Sequence, residues 1–324
     1  MNRSKIEYCD HTWNPITGCR HTCHYCYARR MTSRFSGDPR LNKAATADYH
    51  TVPSADGTAD VYVLEQQMKS EAKKPLVYPF GFEPTYHRYR VTDHSLSPLR
   101  TGCIVFVGTM CDMFGSWVPA EWINEIFDEV KSITQHKYLF LTKNPARYKE
   151  FVLPEGDFWY GTSITTETDK TRIEDLPKDR NCFLSIEPLR GPINLTMKDL
   201  ENVKWIVTGA ETGSRLRVRP ELQWVIDIVG MADSLNIPVF MKDSLVSIVG
   251  EENMQRDYPE GMKDKVYVGA LKDKMIGECA LCKMKGLKSR MYDIGARRGR
   301  GNWTEHVFFL CEDCFKNFKE KMNA

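Results

Sequence analysis

Thr17-Gly18-Cys19-Arg20-His21-Thr22-Cys23-His24-Tyr25-Cys26-Tyr27 places three cysteines within eight residues, spaced C-x3-C-x2-C. A loop that short can gather three thiolates around one small inorganic body, and cluster irons take thiolate ligands. Three sulfurs serve three irons of a [4Fe–4S] cube and leave the fourth iron open. The same stretch also allows zinc, completed by His21, His24 or Cys9. The compact spacing, with an aromatic at Tyr25 directly before the third cysteine, favours the cluster.

The chain beyond the loop points to the fold. From residue 102 onward, short apolar runs alternate with polar loops and helical patterns. Strands are predicted at 102–108, 138–142, 159–163, 182–186, 205–209 and 238–241. Runs that are apolar on both faces are the mark of buried parallel strands. Helices are predicted at 120–133 after Pro119 and at 221–235 after Pro220, proline being favoured at a helix start. The alternation implies an α/β fold of right-handed βαβ units, closed or half-closed as a barrel.

In such barrels the chemistry lies at the carboxyl ends of the strands. The predicted ends open into Gly108-Thr109-Met110-Cys111-Asp112, Leu141-Thr142-Lys143-Asn144, Thr162-Ser163-Ile164-Thr165, Ser185-Ile186-Glu187-Pro188, Gly209-Ala210-Glu211-Thr212-Gly213 and Met241-Lys242-Asp243. Any single polar loop means little. Six in succession, with Asp112, Glu187, Glu211 and Lys242 at similar offsets, predict a shared pocket. Residues 28–100 break the rhythm and read as an insertion, a possible lid, with a short helical run at 63–73.

A length of 324 residues suits one sizeable domain and a small one, here 1–268 and 269–324. A net charge of +2 provides no global field to recruit a polyanion. The start lacks an apolar leader and no apolar run could span a bilayer, so the protein is expected to be cytoplasmic. Eleven cysteines in a chain this long, without a leader, point to metal rather than disulfides. Cys103 and Cys182 fall in apolar strands and are expected to be buried free thiols.

With Tyr25 before its third cysteine, the loop resembles the signature of the radical-SAM superfamily. More narrowly, the chain resembles a phage-associated radical-SAM family of unknown function, often encoded beside three-Cys-motif partner proteins. The matching stretches are 12–19, 82–90, 107–119, 140–147, 183–193 and 205–220, within residues 6–245. Many of those relatives space their first two cysteines more widely, so the narrower likeness says less about substrate. Cys23-His24-Tyr25-Cys26-Tyr27 also resembles, over those five residues, the spore photoproduct lyases.

The resemblance implies that S-adenosylmethionine (SAM) chelates the open iron of a cluster on Cys19, Cys23 and Cys26. One electron would then release a 5′-deoxyadenosyl radical, the cofactor carrying the hard chemistry. It implies that Tyr25 packs near the adenine and that the end of the second strand meets the methionine ammonium. Asp112 is the carboxylate there. Ser163, Ser185 and Glu187 become candidates for the ribose and methionine region. Glu187 suits a ribose hydroxyl, because two carboxylates repel at short range; a pair with Arg190 is the alternative. The turn carrying Glu211 and Arg215 can hold an anion through backbone N–H groups and the alternating Arg215, Arg217 and Arg219. Lys242 could pair with Glu211 or meet substrate.

Cys279-Ala280-Leu281-Cys282 and Cys311-Glu312-Asp313-Cys314 form two C-x2-C knuckles, the pattern of a structural zinc site, here treble-clef-like. A second iron–sulfur cluster is the alternative. The stretch 283–300 holds seven Lys or Arg against Asp293. Arg297, Arg298 and Arg300, followed by Trp303, could contact phosphates and a base. The leading function is therefore a radical-SAM enzyme acting on a nucleic acid or nucleotide, with an external electron donor, a possible three-Cys-motif partner and no membrane. A peptide or small metabolite as substrate, or a non-catalytic zinc-dependent binding module, are the alternatives.

Overall fold

The computed structural model describes all residues except 1, 37–48, 71–72, 95, 214–216, 264–275, 279–284, 288–291, 295–307 and 311–324. β1 (Asn2–Arg3) pairs antiparallel with β2 (His11–Trp13). β3 (Ile16–Thr17) enters the cysteine loop and α1 (Tyr27–Phe35) leaves it. Next come β4 (Tyr49–Pro53), β5 (Asp60–Leu64), β6 (Thr85–His87) and the single turn α2 (Tyr89–Thr92). The barrel-forming part follows as β7 (Ile104–Val107), α3 (Ala120–Ser132), β8 (Lys137–Thr142), β9 (Phe158–Ser163), β10 (Asn181–Ile186), β11 (Val203–Thr208), α4 (Leu222–Ser234), β12 (Val239–Met241) and α5 (Val246–Val249).

The main sheet runs β1-β2-β7-β8-β9-β10-β11-β12. From β2 to β12 all neighbours are parallel, giving a curled half-barrel of seven parallel strands. The period of two divides each strand between two cores. Val105, Val107, Tyr138, Phe140, Leu184 and Ile206 face the helices and share a core with Trp122, Ile126, Val225 and Val229 of α3 and α4. Ile104, Phe106, Leu139, Trp159, Phe183, Trp205 and Phe240 face the concave side, where they pack with Tyr8. The concave side is thus plugged with aromatic rings at one end, and its polar residues collect at the carboxyl ends of the strands.

Gly161 lets that plug form. A Cβ there would lie 2.5 Å from the Phe183 ring, which is fully buried. Gly161→Ala is expected to cost about 1–3 kcal/mol by overpacking, to be measured as a lower midpoint in chemical denaturation.

All six predicted strands are present, displaced at their ends by up to two residues, and Cys103 and Cys182 are buried. Among the described residues of the β7–β12 part, however, α-helices longer than one turn follow only β7 and β11, the single turn α5 lying after β12. After β8 and β9 come 3-10 helices, Pro145–Glu150 and Glu167–Asp175, and β10 connects to β11 through turns broken by Pro188, Gly191 and Pro192. The helical run predicted at 63–73 is a second correction. Its first residues belong to β5, which pairs with β4 and β6 in a side sheet ordered β3-β6-β5-β4. Asp60-Val61-Tyr62-Val63-Leu64 turns Val61 and Val63 into the main core, so tertiary burial overrides local pattern.

Towards the end of the chain, β13 (Ile276–Glu278) pairs antiparallel with β14 (Lys285–Leu287), and β15 (Tyr292–Ile294) with β16 (Phe308–Leu310). Cys279, Cys282, Cys311 and Cys314, with Arg297, Arg298, Arg300 and Trp303, lie outside the described residues. Among the described residues no helix is long and apolar enough to cross a membrane.

Candidate active site

The carboxyl ends of the parallel strands surround a cavity of about 430 Å³, within the range of about 300–1,000 Å³ usual for ligand sites. Cys19, Cys23, Tyr25 and Cys26 line it from the loop. Asp112 comes from beyond β7, Ser163 ends β9, Ser185 lies in β10 and Glu187 directly follows it. Glu211 and Lys242 follow β11 and β12. Ser163 and Ser185 are register partners on adjacent strands, so their side chains share one face. Of the residues proposed from sequence for this pocket, Arg215 lies outside the described residues. Arg217 and Arg219 are exposed and line a neighbouring cavity.

The cysteine loop is fastened to the barrel at several points. Gly18 forms a parallel bridge with Cys111, and its N–H donates to the Met110 carbonyl at 2.9 Å. The Cys19 N–H donates to the Phe82 carbonyl at 3.1 Å. Asn14 Oδ1 accepts from the Thr109 hydroxyl at 3.1 Å and from the Met110 N–H at 2.9 Å, locking the turn after β7 beside the loop. Arg29 donates to the carbonyls of Cys19 (3.3 Å) and His21 (3.0 Å), and its guanidinium lies 4.7 Å from the Phe82 ring centre. Cys26 caps α1, its sulfur accepting from the Arg29 N–H at 3.4 Å. Sequence reasoning missed Asn14 and Arg29. Their contacts cross the fold, and no local pattern marks them.

Asp112 is 5% exposed, and each of its oxygens is doubly engaged. Oδ1 accepts from the Thr142 hydroxyl at 2.6 Å and the Phe114 N–H at 3.2 Å. Oδ2 lies 2.8 Å from His21 Nε2 and accepts from the Lys143 N–H at 2.9 Å. Burial opposes the charge of Asp112, but the bonds and charge of His21, then Thr142 and Lys143, hold its carboxyl below the ordinary range.

The charge pairs differ from those proposed. Lys242 pairs with Glu187, while Arg190 lies 3.3 Å from Glu211. The register explains the exchange: β10 and β12 flank β11, and their ends project Glu187 and Lys242 across it. Tyr25 receives a hydrogen bond on its hydroxyl from Lys143 Nζ at 3.0 Å, and Lys143 and Arg190 each lie 5.4 Å from its ring centre. Glu211 Oε1 is buried and, among the described residues, has no hydrogen-bond partner.

Burial opposes the charge of Lys242, but Glu187 outweighs it and holds the ammonium above its usual value. A raised lysine stabilises fully below its unfolded value of about 10.4 and loses that contribution as pH rises through its folded value. Glu187→Gln is therefore expected to cost about 2 kcal/mol at neutral pH. The gap from wild type should shrink under alkaline conditions, as measured by thermal unfolding across pH.

The donor set fits a cluster. Cys19, Cys23 and Cys26 are free, partly exposed thiols on one wall of the cavity. Burial, with Asp112 adding, pushes the Cys19 thiol up to about 12, so a thiolate there calls for a cationic partner such as iron. Among the described residues no three His, Cys, Asp or Glu side chains converge on a point suited to one ion.

A family model described as a protein of unknown function, DUF5131, matches residues 3–256. No curated protein matches the chain. Among solved structures, it is similar to a spore photoproduct lyase variant with bound AdoMet and dinucleoside spore photoproduct, and to spore photoproduct lyase complexed with dinucleoside spore photoproduct. Both alignments cover 99% of this chain and 74% of the other at 8% identity, with TM-scores of 0.37 and 0.36.

Proposed function

We propose that this chain, which belongs to the DUF5131 family, is a radical-SAM enzyme that modifies or repairs a nucleic acid or nucleotide. The observation that carries the reading is three free thiols from one short loop lining the cavity formed by the carboxyl ends of the parallel strands. Cys19, Cys23 and Cys26 would hold a [4Fe–4S] cluster that, with SAM on its open iron, supplies the electron for carbon–sulfur cleavage and the resulting 5′-deoxyadenosyl radical.

The chain's own residues bind, orient and shield around it. Tyr25, with Lys143 and Arg190 each 5.4 Å from its ring centre, offers an aromatic surface for the adenine. Lys143 and Arg190 offer cations for the methionine carboxylate. Ser163, Ser185 and Glu187 offer partners for the ribose, and Glu211 Oε1 is a buried acceptor suited to a hydroxyl or ammonium. The aromatic plug beneath, with Tyr8, Phe106 and Trp205, closes the floor to water.

A polyanionic substrate suits the unpaired cations. Among the described residues no carboxylate lies within ion-pair distance of Lys5, Arg30 or Lys143, all of which line the cavity. The four C-terminal cysteines are proposed to hold zinc, with Arg297, Arg298, Arg300 and Trp303 gripping the nucleic acid, while an external donor supplies electrons. A three-Cys-motif protein remains a proposed partner. The test is deuterium transfer. The anaerobically reconstituted enzyme, reduced with dithionite, should form 5′-deoxyadenosine from SAM and take up label from a deuterated oligonucleotide. Cofactor cleavage with label arriving only from peptides or metabolites would overturn the substrate assignment.

A further inference from the structure

We infer that Asp112 is a positioning residue for the cysteine loop rather than a ligand of SAM: through His21 it fixes the stretch between Cys19 and Cys23 and sets a buried negative charge beside the proposed cluster. The inference rests on reading that loop as a cluster site.

An ionised carboxylate has about four lone-pair positions. At Asp112 all four are taken by His21, Thr142, Phe114 and Lys143, the last two through backbone N–H groups that cannot swing away. A methionine ammonium could bind only by evicting one of these donors. A displaced backbone N–H would then be left buried and unpaired, at a cost of about 1–3 kcal/mol. Glu211 Oε1, which lines the same cavity and has no partner among the described residues, carries no such penalty.

His21 is the link to the loop. Its Nε2 bears the proton that Asp112 accepts, and its ring meets Trp117 edge-on at 5.0 Å and 78°. Its carbonyl is held from the other side by Arg29 at 3.0 Å. The segment between the first two cysteines is therefore clamped at a side chain and at its backbone. The clamp is anchored on a strand end and on the first turn of α1 rather than on the loop itself. Groups that orient metal ligands through a hydrogen bond commonly tune the metal as well. A fixed anion beside the cluster also makes the addition of an electron harder.

The test uses the full chain, loaded anaerobically and studied without SAM. Asp112→Asn keeps the shape and removes the charge. Its cluster is expected to show a more positive midpoint potential and an altered electron paramagnetic resonance signal. Iron loss to a chelator should be about 10- to 100-fold faster, the usual effect of losing a group that orients a ligand. SAM affinity of the loaded fraction should be unchanged. His21→Gln, which retains a donor, should keep the wild-type potential, and His21→Phe should not. Equal potentials for His21→Phe and His21→Gln overturn the inference even if Asp112→Asn fails to fold. An unaltered potential with tenfold weaker SAM binding in Asp112→Asn would make Asp112 the ammonium ligand. A wild-type chain that takes up no cluster overturns the reading of the loop itself, a separate result from a loaded wild type with unaltered variants.

Discussion

Cys23→Ala is expected to give a folded, colourless protein that forms no 5′-deoxyadenosine from SAM under dithionite. On the proposed reading the loop supplies three sulfurs for three irons, so removing one leaves a second iron without a protein ligand. Cys23 separates this chemistry from packing. Cys19 packs against the main core and Cys26 against the small cluster of Ala28, Tyr78 and Met110, whereas Cys23 is partly exposed and joins neither. The iron-free variant should therefore unfold within about 0.5 kcal/mol of the iron-free wild type, as surface changes usually do. Iron content, the visible absorbance band and anaerobic product assay check the outcome. A brown Cys23→Ala protein that still cleaves SAM would rule out the loop as the cluster site.

Gly18→Ala should be the most damaging glycine-to-alanine change among the described glycines. Gly18 has φ +86°, a left-handed conformation that disfavours a side chain by about 1–2 kcal/mol. The added Cβ would also lie 2.2 Å from the Glu83 carbonyl oxygen and 2.8 Å from that of Phe82. Both obstacles are backbone and cannot rotate away. Either the 82–83 segment or the loop must move, breaking the Cys19 N–H bond to Phe82 and shifting the first cysteine. We expect a loss of about 3–5 kcal/mol, read by denaturation, together with loss of iron uptake. Gly81→Ala is the matched control: φ there is +64° with nothing within 4 Å of the added carbon, so only the conformational cost applies. Equal behaviour of the two variants would show that the close approach at Gly18 is unimportant.

Much of the fold was legible because its signals are local. A buried parallel strand must be apolar on both faces, so Ile104-Val105-Phe106-Val107 and Phe158-Trp159-Tyr160-Gly161 announce themselves. Their ends are equally local, and Ser163, Ser185, Glu187, Glu211 and Lys242 do line one cavity. The side sheet was not legible. Asp60–Leu64 is a strand because β4 and β6 lie on either side of it, and nothing within residues 63–73 records those neighbours.

By itself, the sequence marked three closely spaced thiols as candidate ligands and set the order of the parallel strands, since the spacing of thiols and the two-sided apolar runs are properties of adjacent residues. Only the tertiary structure decided how the charges are shared. Lys242 went to Glu187, Arg190 to Glu211, and Asp112 was filled by His21, Thr142, Phe114 and Lys143. Hydrogen bonds and ion pairs act over a few ångströms in space, between strand ends that lie tens of residues apart along the chain. A carboxylate's spare capacity can therefore be counted only after the chain has folded around it.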